Sequence, residues 1–127
     1  MSDALIERFF ETYAERYMAS DADAVAAMYE APLLAVREGK AIHLGDHDAV
    51  RTHLASLMDA YRKAGAKRAT IAALNITPLG RSSILATVRW TVESDDGTVL
   101  RDFATSYQML RQEPGGWRLL SYTNHDD

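Results

Sequence analysis

The spacing of apolar residues changes near residue 66, from a helical step of about 3.6 to strict alternation. Before that point the chain reads as helices around a short hairpin. Residues 3–18 set Leu5, Ile6, Phe9, Phe10, Tyr13, Tyr17 and Met18 at three- and four-residue steps, with Glu7, Arg8, Glu11, Glu15 and Arg16 opposite. That is the stripe of an amphipathic helix. Residues 20–30 predict a second, short helix, capped by Ser20 or Asp21 and presenting Ala24, Val25, Met28 and Tyr29. Pro32 is expected to end it, because the residue before a proline avoids helical geometry. Residues 33–44 read as a β-hairpin turning at Glu38-Gly39-Lys40. Asp46 is placed to cap a third helix over 47–64. Its apolar face carries Val50, Leu54, Leu57, Met58 and Tyr61, and Gly65 is its stop.

After residue 66 the pattern is a meander. A strand over 68–78 turns at Leu79-Gly80-Arg81-Ser82. The next strand puts Ile84, Ala86, Val88, Trp90 and Val92 on one face. A turn at Asp95-Asp96-Gly97 leads to a strand with Val99, Arg101, Phe103, Thr105, Tyr107 and Met109 on one side. Leu100, Asp102, Ala104, Ser106, Gln108 and Leu110 take the other side. A second turn, Glu113-Pro114-Gly115-Gly116, leads to a last strand from Trp117. Helices gathered on one face of a mainly antiparallel sheet define an α+β fold. The strands are unusually long and apolar on both faces. The helices cover one face, and a second subunit is expected on the other.

A length of 127 residues fits one domain, 1–127, able to bury a real core. Cysteine is absent, which excludes disulfides and a thiol nucleophile. The net charge is −4, and basic residues cluster no further than Arg62-Lys63 and Lys67-Arg68, so a nucleic-acid surface is not expected. Asp3, Glu7 and Glu11 interrupt the N-terminus, which therefore reads as neither signal peptide nor membrane span; a cytoplasmic protein is expected.

Several residues invite chemistry. Tyr13 and Tyr17 either fill the core or turn their hydroxyls into a cavity, since a buried phenol needs a partner. Asp102, in mid-strand, is either a desolvated pocket acid or base or the cross-strand partner of Arg89. Arg37 either grips an anionic ligand with its fork or is a solvated edge charge. His43, His47 and His53 approach metal-ligand spacing but share no helical face, so a solvated helix start is the better account and no metal is expected. Trp90, Tyr107 and Tyr122 line a cavity or fill a dimer interface. No phosphate loop, nucleophile elbow or dinucleotide fingerprint occurs, and no cofactor is expected.

The helix IERFFETYAERY, the segment DADAVAAMYE before a hairpin, Gly45-Asp46 opening the third helix, ATVRW in the central strand and GGWRLLSY at the end together resemble the NTF2-like superfamily. This superfamily includes SnoaL-like and ketosteroid-isomerase-like proteins. The resemblance spans essentially the whole chain. It implies a curved sheet wrapped around three N-terminal helices into a cone with one deep pocket, and a homodimer through the outer face of the sheet. In ketosteroid isomerases a helix tyrosine and a protonated aspartic acid form the oxyanion hole, and another aspartate is the base. Tyr13 falls near that tyrosine, but Val36 and Gln108 stand near the acid positions. The expectation is therefore a protein binding a small, largely apolar molecule through Tyr13, Tyr17, Met28, Arg37, Met58, Trp90, Tyr107 and Gln108. The alternative is a cofactor-independent isomerase or dehydratase using Asp102 with Tyr13.

Overall fold

The first helix forms where the bulky stripe predicts it. In the computed structural model, which describes residues 3–113 and 116–125, α1 runs Asp3–Met18 and buries Ile6, Phe10, Tyr13 and Ala14. The helix α3, His47–Lys63, begins as read from the sequence. The Asp46 carboxylate accepts a hydrogen bond from the Ala49 N–H at 2.9 Å, satisfying one of the first-turn donors. It stops before Gly65, whose φ of +90° suits a residue without Cβ.

The second helix is shorter than its pattern. Here α2 spans only Ala22–Ala26, capped by Asp21, and β1 already starts at Tyr29 and runs to Arg37. Pairing with the last strand wins over helix propensity: the Met28 carbonyl accepts from the Leu119 N–H at 2.9 Å, and Tyr29 lies opposite Leu119. Pro32 therefore sits inside a strand instead of ending a helix. The register with that neighbour jumps between Tyr29 and Leu34, the stretch where proline has no N–H to give.

The remaining strands are β2 Lys40–Leu44, β3 Ala66–Leu79, β4 Ser83–Ser94, β5 Val99–Gln112 and β6 Gly116–His125. They form one six-stranded sheet in the order β2-β1-β6-β5-β4-β3, antiparallel throughout except where β1 lies parallel to β6. Pro114 and Gly115 of the last predicted turn lie outside the described residues. With 14, 12 and 14 residues, β3, β4 and β5 far exceed the usual strand of about five or six. Register shifts at Ile71/Ala73, Val92/Glu93 and Gln108/Met109 interrupt them. Each such bulge bends its strand and adds twist. The long sheet therefore curves around the helices, an NTF2-like cone.

The alternation of β4 settles which face is inside. Ile84, Ala86, Val88, Trp90 and Val92 are all buried, together with Phe103, Thr105, Tyr107 and Met109 of β5. The outer face is more polar than expected. It carries hydroxyls such as Thr87 and Ser106, bonded to each other at 2.8 Å, and leucines such as Leu34 and Leu85 that stay more than one-third exposed. Among the described residues no helix is long and apolar enough to cross a membrane.

The cap at Asp46 gives a direct check. Asp46→Ala is expected to lower unfolding stability by about 1 kcal/mol, and Asp46→Asn by only a few tenths. Urea denaturation of the two variants measures this, and equal midpoints for Asp46→Ala and wild type would show that the cap contributes nothing.

Candidate functional site

The chain contains six tyrosines, and all six line one cavity. Each arrives by a separate piece of local structure. Tyr13 and Tyr17 are four residues apart on α1 and so lie on one helix face. Tyr29 opens β1, and Tyr61 sits in the last turn of α3. Tyr107 and Tyr122 face each other directly across β5 and β6. Trp90, Phe103, Leu54 and Leu57 complete the apolar walls. The enclosed space is about 60 Å³, room for a few water-sized groups.

At the deep end the polar atoms satisfy one another. The hydroxyls of Tyr13 and Tyr29 are hydrogen-bonded at 2.7 Å, and the Trp90 indole N–H donates to the Tyr107 hydroxyl at 3.1 Å. Tyr13 stacks between Tyr17 and Trp90, with ring centres 5.7 and 6.3 Å away. Burial pushes the Tyr13, Tyr29 and Tyr107 phenols well above their ordinary range. They are neutral hydrogen-bonding groups, not bases, at any ordinary pH.

The mouth is different. The partly exposed polar lining residues Arg37, Tyr17, Tyr61 and Asn124 mark it, joined by the buried Tyr122. Tyr61 accepts a hydrogen bond from the Arg101 guanidinium at 2.8 Å, and Arg101 lies 4.1 Å over the Phe103 ring. The Tyr122 hydroxyl and His53 Nε2 are 2.6 Å apart. Burial raises the Tyr17 and Tyr122 phenols, while the positive charge of Arg37 pulls both back down. Partial burial, reinforced by Arg37, lowers the His53 pKa and favours the neutral imidazole. Arg37 thus acts electrically on three groups at once.

Of the residues expected to bind a ligand, the structure brings Tyr13, Tyr17, Arg37, Trp90 and Tyr107 together around the cavity. Met28 and Met58 are buried in the core but do not line it. Gln108 is exposed on the outer face, because β5 alternates and its neighbours Tyr107 and Met109 point inward. Asp102 is corrected in the same way. It lies outside the cavity, 3.2 Å from Arg89 Nε with both side chains substantially exposed, the surface pair weighed as its alternative role. Among the described lining residues there is no carboxylate. The described histidines and acids form no group able to hold a metal.

Sequence reasoning does not single out Tyr29, Tyr61, Thr105 or His53 as ligand-site residues, whereas Asn124, read as either lining the pocket mouth or fraying, does line the cavity. By pattern, Tyr29 falls in a helix, Tyr61 on a core face and His53 at a solvated helix start. The shared signal is the tyrosine set itself, spread over elements whose inner faces converge.

The fold and its cavity define a protein of the NTF2-like class. The family described as "NTF2-like protein (DUF6841)" matches residues 2–127, and the chain belongs to it. No curated protein matches the sequence. Among solved structures, ActVI-ORFA from Streptomyces coelicolor superposes with a TM-score of 0.79 at 13% identity, over 98% of this chain and 93% of its own. Aln2 from a Streptomyces species gives 0.76 at 21% identity, over 100% and 94%. An NTF2-like protein with a cystatin-like fold from Novosphingobium aromaticivorans gives 0.73 at 18%, over 94% and 77%. At these identities the likeness is one of fold.

His53 gives this site a pH signature. The unfolded chain protonates its imidazole near the ordinary pKa of about 6.5, while the folded protein holds it neutral to lower pH. Within that window the unfolded state binds more protons, so stability falls as pH drops below about 6.5 and is unaffected by this group above it. Lowering pH from about 7.5 to 5.5 is expected to reduce the urea midpoint of wild type more than that of His53→Gln. Parallel losses would show that His53 is not the linked group.

Proposed function

We propose that this protein binds a small, largely apolar molecule in the tyrosine-lined cavity. The observation that carries the reading is the convergence of all six tyrosines with Trp90 on one cavity. A purely structural core has no need to gather all of its phenols round one space, since each buried hydroxyl requires a hydrogen-bond partner. A cavity walled by aromatic carbons, with a few fixed donors, is the usual form of a small-molecule site. The isomerase or dehydratase reading finds less support. It needs a base inside, and the described lining residues include no aspartate, glutamate or histidine.

The Trp90 indole N–H is a reporter placed in the wall, and Trp117 lies outside the lining as an internal control. Titration with benzamide or isobutyramide is expected to move the Trp90 indole resonance saturably while that of Trp117 stays in place. If neither these compounds nor the matching carboxylates, benzoate and isobutyrate, move it, the cavity is not a binding site.

A second copy of the chain on the outer face of the sheet is part of the same proposal. Leu34, Ser121, Gln108 and Leu85 lie in one row across β1, β6, β5 and β4. The two leucines remain 39% and 37% exposed in the single chain. Light scattering at micromolar protein is expected to give a dimer mass, and Leu85→Arg to shift it toward monomer. A clean wild-type monomer would defeat this part.

A further inference from the structure

We propose that the molecule held in the cavity is a small carboxylic acid bound as its anion, apolar end inward and carboxylate at Arg37. The inference rests on the binding reading above and concerns the charge and orientation of the ligand.

Three observations carry it. First, the two ends of the cavity have opposite character. The deep end is aromatic, and its Tyr13, Tyr29, Trp90 and Tyr107 polar atoms are already committed to one another. A ligand's anionic group meets only neutral, mutually paired groups there and no cation, so its charge is better matched at the mouth. Second, the mouth holds donors with capacity to spare. Among the described residues Arg37 has no carboxylate within salt-bridge distance, although it lines the cavity and is itself only partly exposed. Its positive charge is felt by the Tyr122 hydroxyl, a neutral group, and no described carboxylate pairs with it. The Asn124 carbonyl accepts from the Thr105 hydroxyl at 2.7 Å, which leaves the NH₂ of that amide for another acceptor. Strand register sets Arg37 and Asn124 side by side, one step beyond the Val36–Thr123 pair. The Tyr17 hydroxyl, also in the lining, has no hydrogen bond to any described residue. Third, the size fits this orientation. A space of about 60 Å³ takes a short apolar group, not a whole drug-sized ligand, so the polar end remains at the rim.

A planar guanidinium meets a carboxylate with two parallel N–H···O bonds, which a neutral amide cannot match. A cation in an aromatic rim with no anionic partner among the described residues is also partly desolvated, and an anion relieves that penalty. The site therefore discriminates by charge more than by the shape of the apolar end.

The test compares isosteric pairs, benzoate with benzamide and isobutyrate with isobutyramide, by the same Trp90 indole titration at neutral pH. Wild type is expected to favour the carboxylate of each pair by roughly ten- to hundredfold, the range for a charge-assisted hydrogen bond. Arg37→Gln is expected to remove that preference, so that carboxylate and amide of each pair bind with similar affinity; saturable binding of both also shows that the variant folds. Arg37→Lys is expected to retain part of it. Amides binding as well as carboxylates in wild type would overturn the anion assignment and leave the binding reading standing. A preference that survives Arg37→Gln would overturn the role of Arg37. No binding by any of the four compounds would overturn the binding reading and this inference with it.

Discussion

The constraint on which the interior depends is the burial of phenols. A tyrosine hydroxyl out of water must find a partner or destabilise the fold by about 1–3 kcal/mol. Tyr13 and Tyr29 meet this demand by bonding to each other at 2.7 Å, and Tyr107 by accepting from Trp90 at 3.1 Å. These pairs tie α1 to β1 and β4 to β5. The position of the first helix over the sheet is thus set by polar geometry as well as by its greasy stripe. The cavity is what remains when rigid aromatic rings, fixed by these bonds, meet from opposite walls and cannot collapse further.

Curvature supplies the walls. Straight strands of ordinary length would present the tyrosines of β5 and β6 to a flat surface that a helix could cover completely. Strands of up to 14 residues, bent at bulges, leave a concavity deeper than one helix fills. The charges follow the same geometry. Arg37 and Arg101 stand where strands reach the open end, and both touch the aromatic rim through tyrosine hydroxyls or ring faces. Aromatic faces and phenol oxygens stabilise positive charge held at such a rim, alongside solvent.

Periodicity reveals most of this architecture. The stripe of α1, the cap and glycine stop of α3, and the alternation of β4 all follow from local physical rules, and the structure obeys them. Tyr29 reads as helical because its neighbours favour a helix, and only pairing with Leu119, near the far end of the chain, makes it a strand residue. Asp102 illustrates the converse. Its alternation with Phe103 is visible in the sequence, but whether that face is concave depends on which side the helices pack. The site is legible in part: Tyr13, Tyr17, Arg37, Trp90 and Tyr107 stand out by their chemistry. His53 does not, because its partner Tyr122 is contributed by a distant strand.

The parallel contact between β1 and β6 has a consequence for the life of the chain on the ribosome. The first strand pairs on one side with β2, but its other neighbour, β6, is made only after the three long strands between them. Until β6 appears, the Met28 carbonyl has no Leu119 N–H to meet, and no strand pairing joins the hairpin to the meander. The helices that emerge first therefore have only part of a sheet to pack on, and closure of the cone waits for nearly all of the described chain. Long-range closure of this kind slows folding and prolongs the exposure of apolar strands. A synthesis rate that outpaced chaperone capture would be felt first at β1, whose unmet edge is an open invitation to another nascent chain.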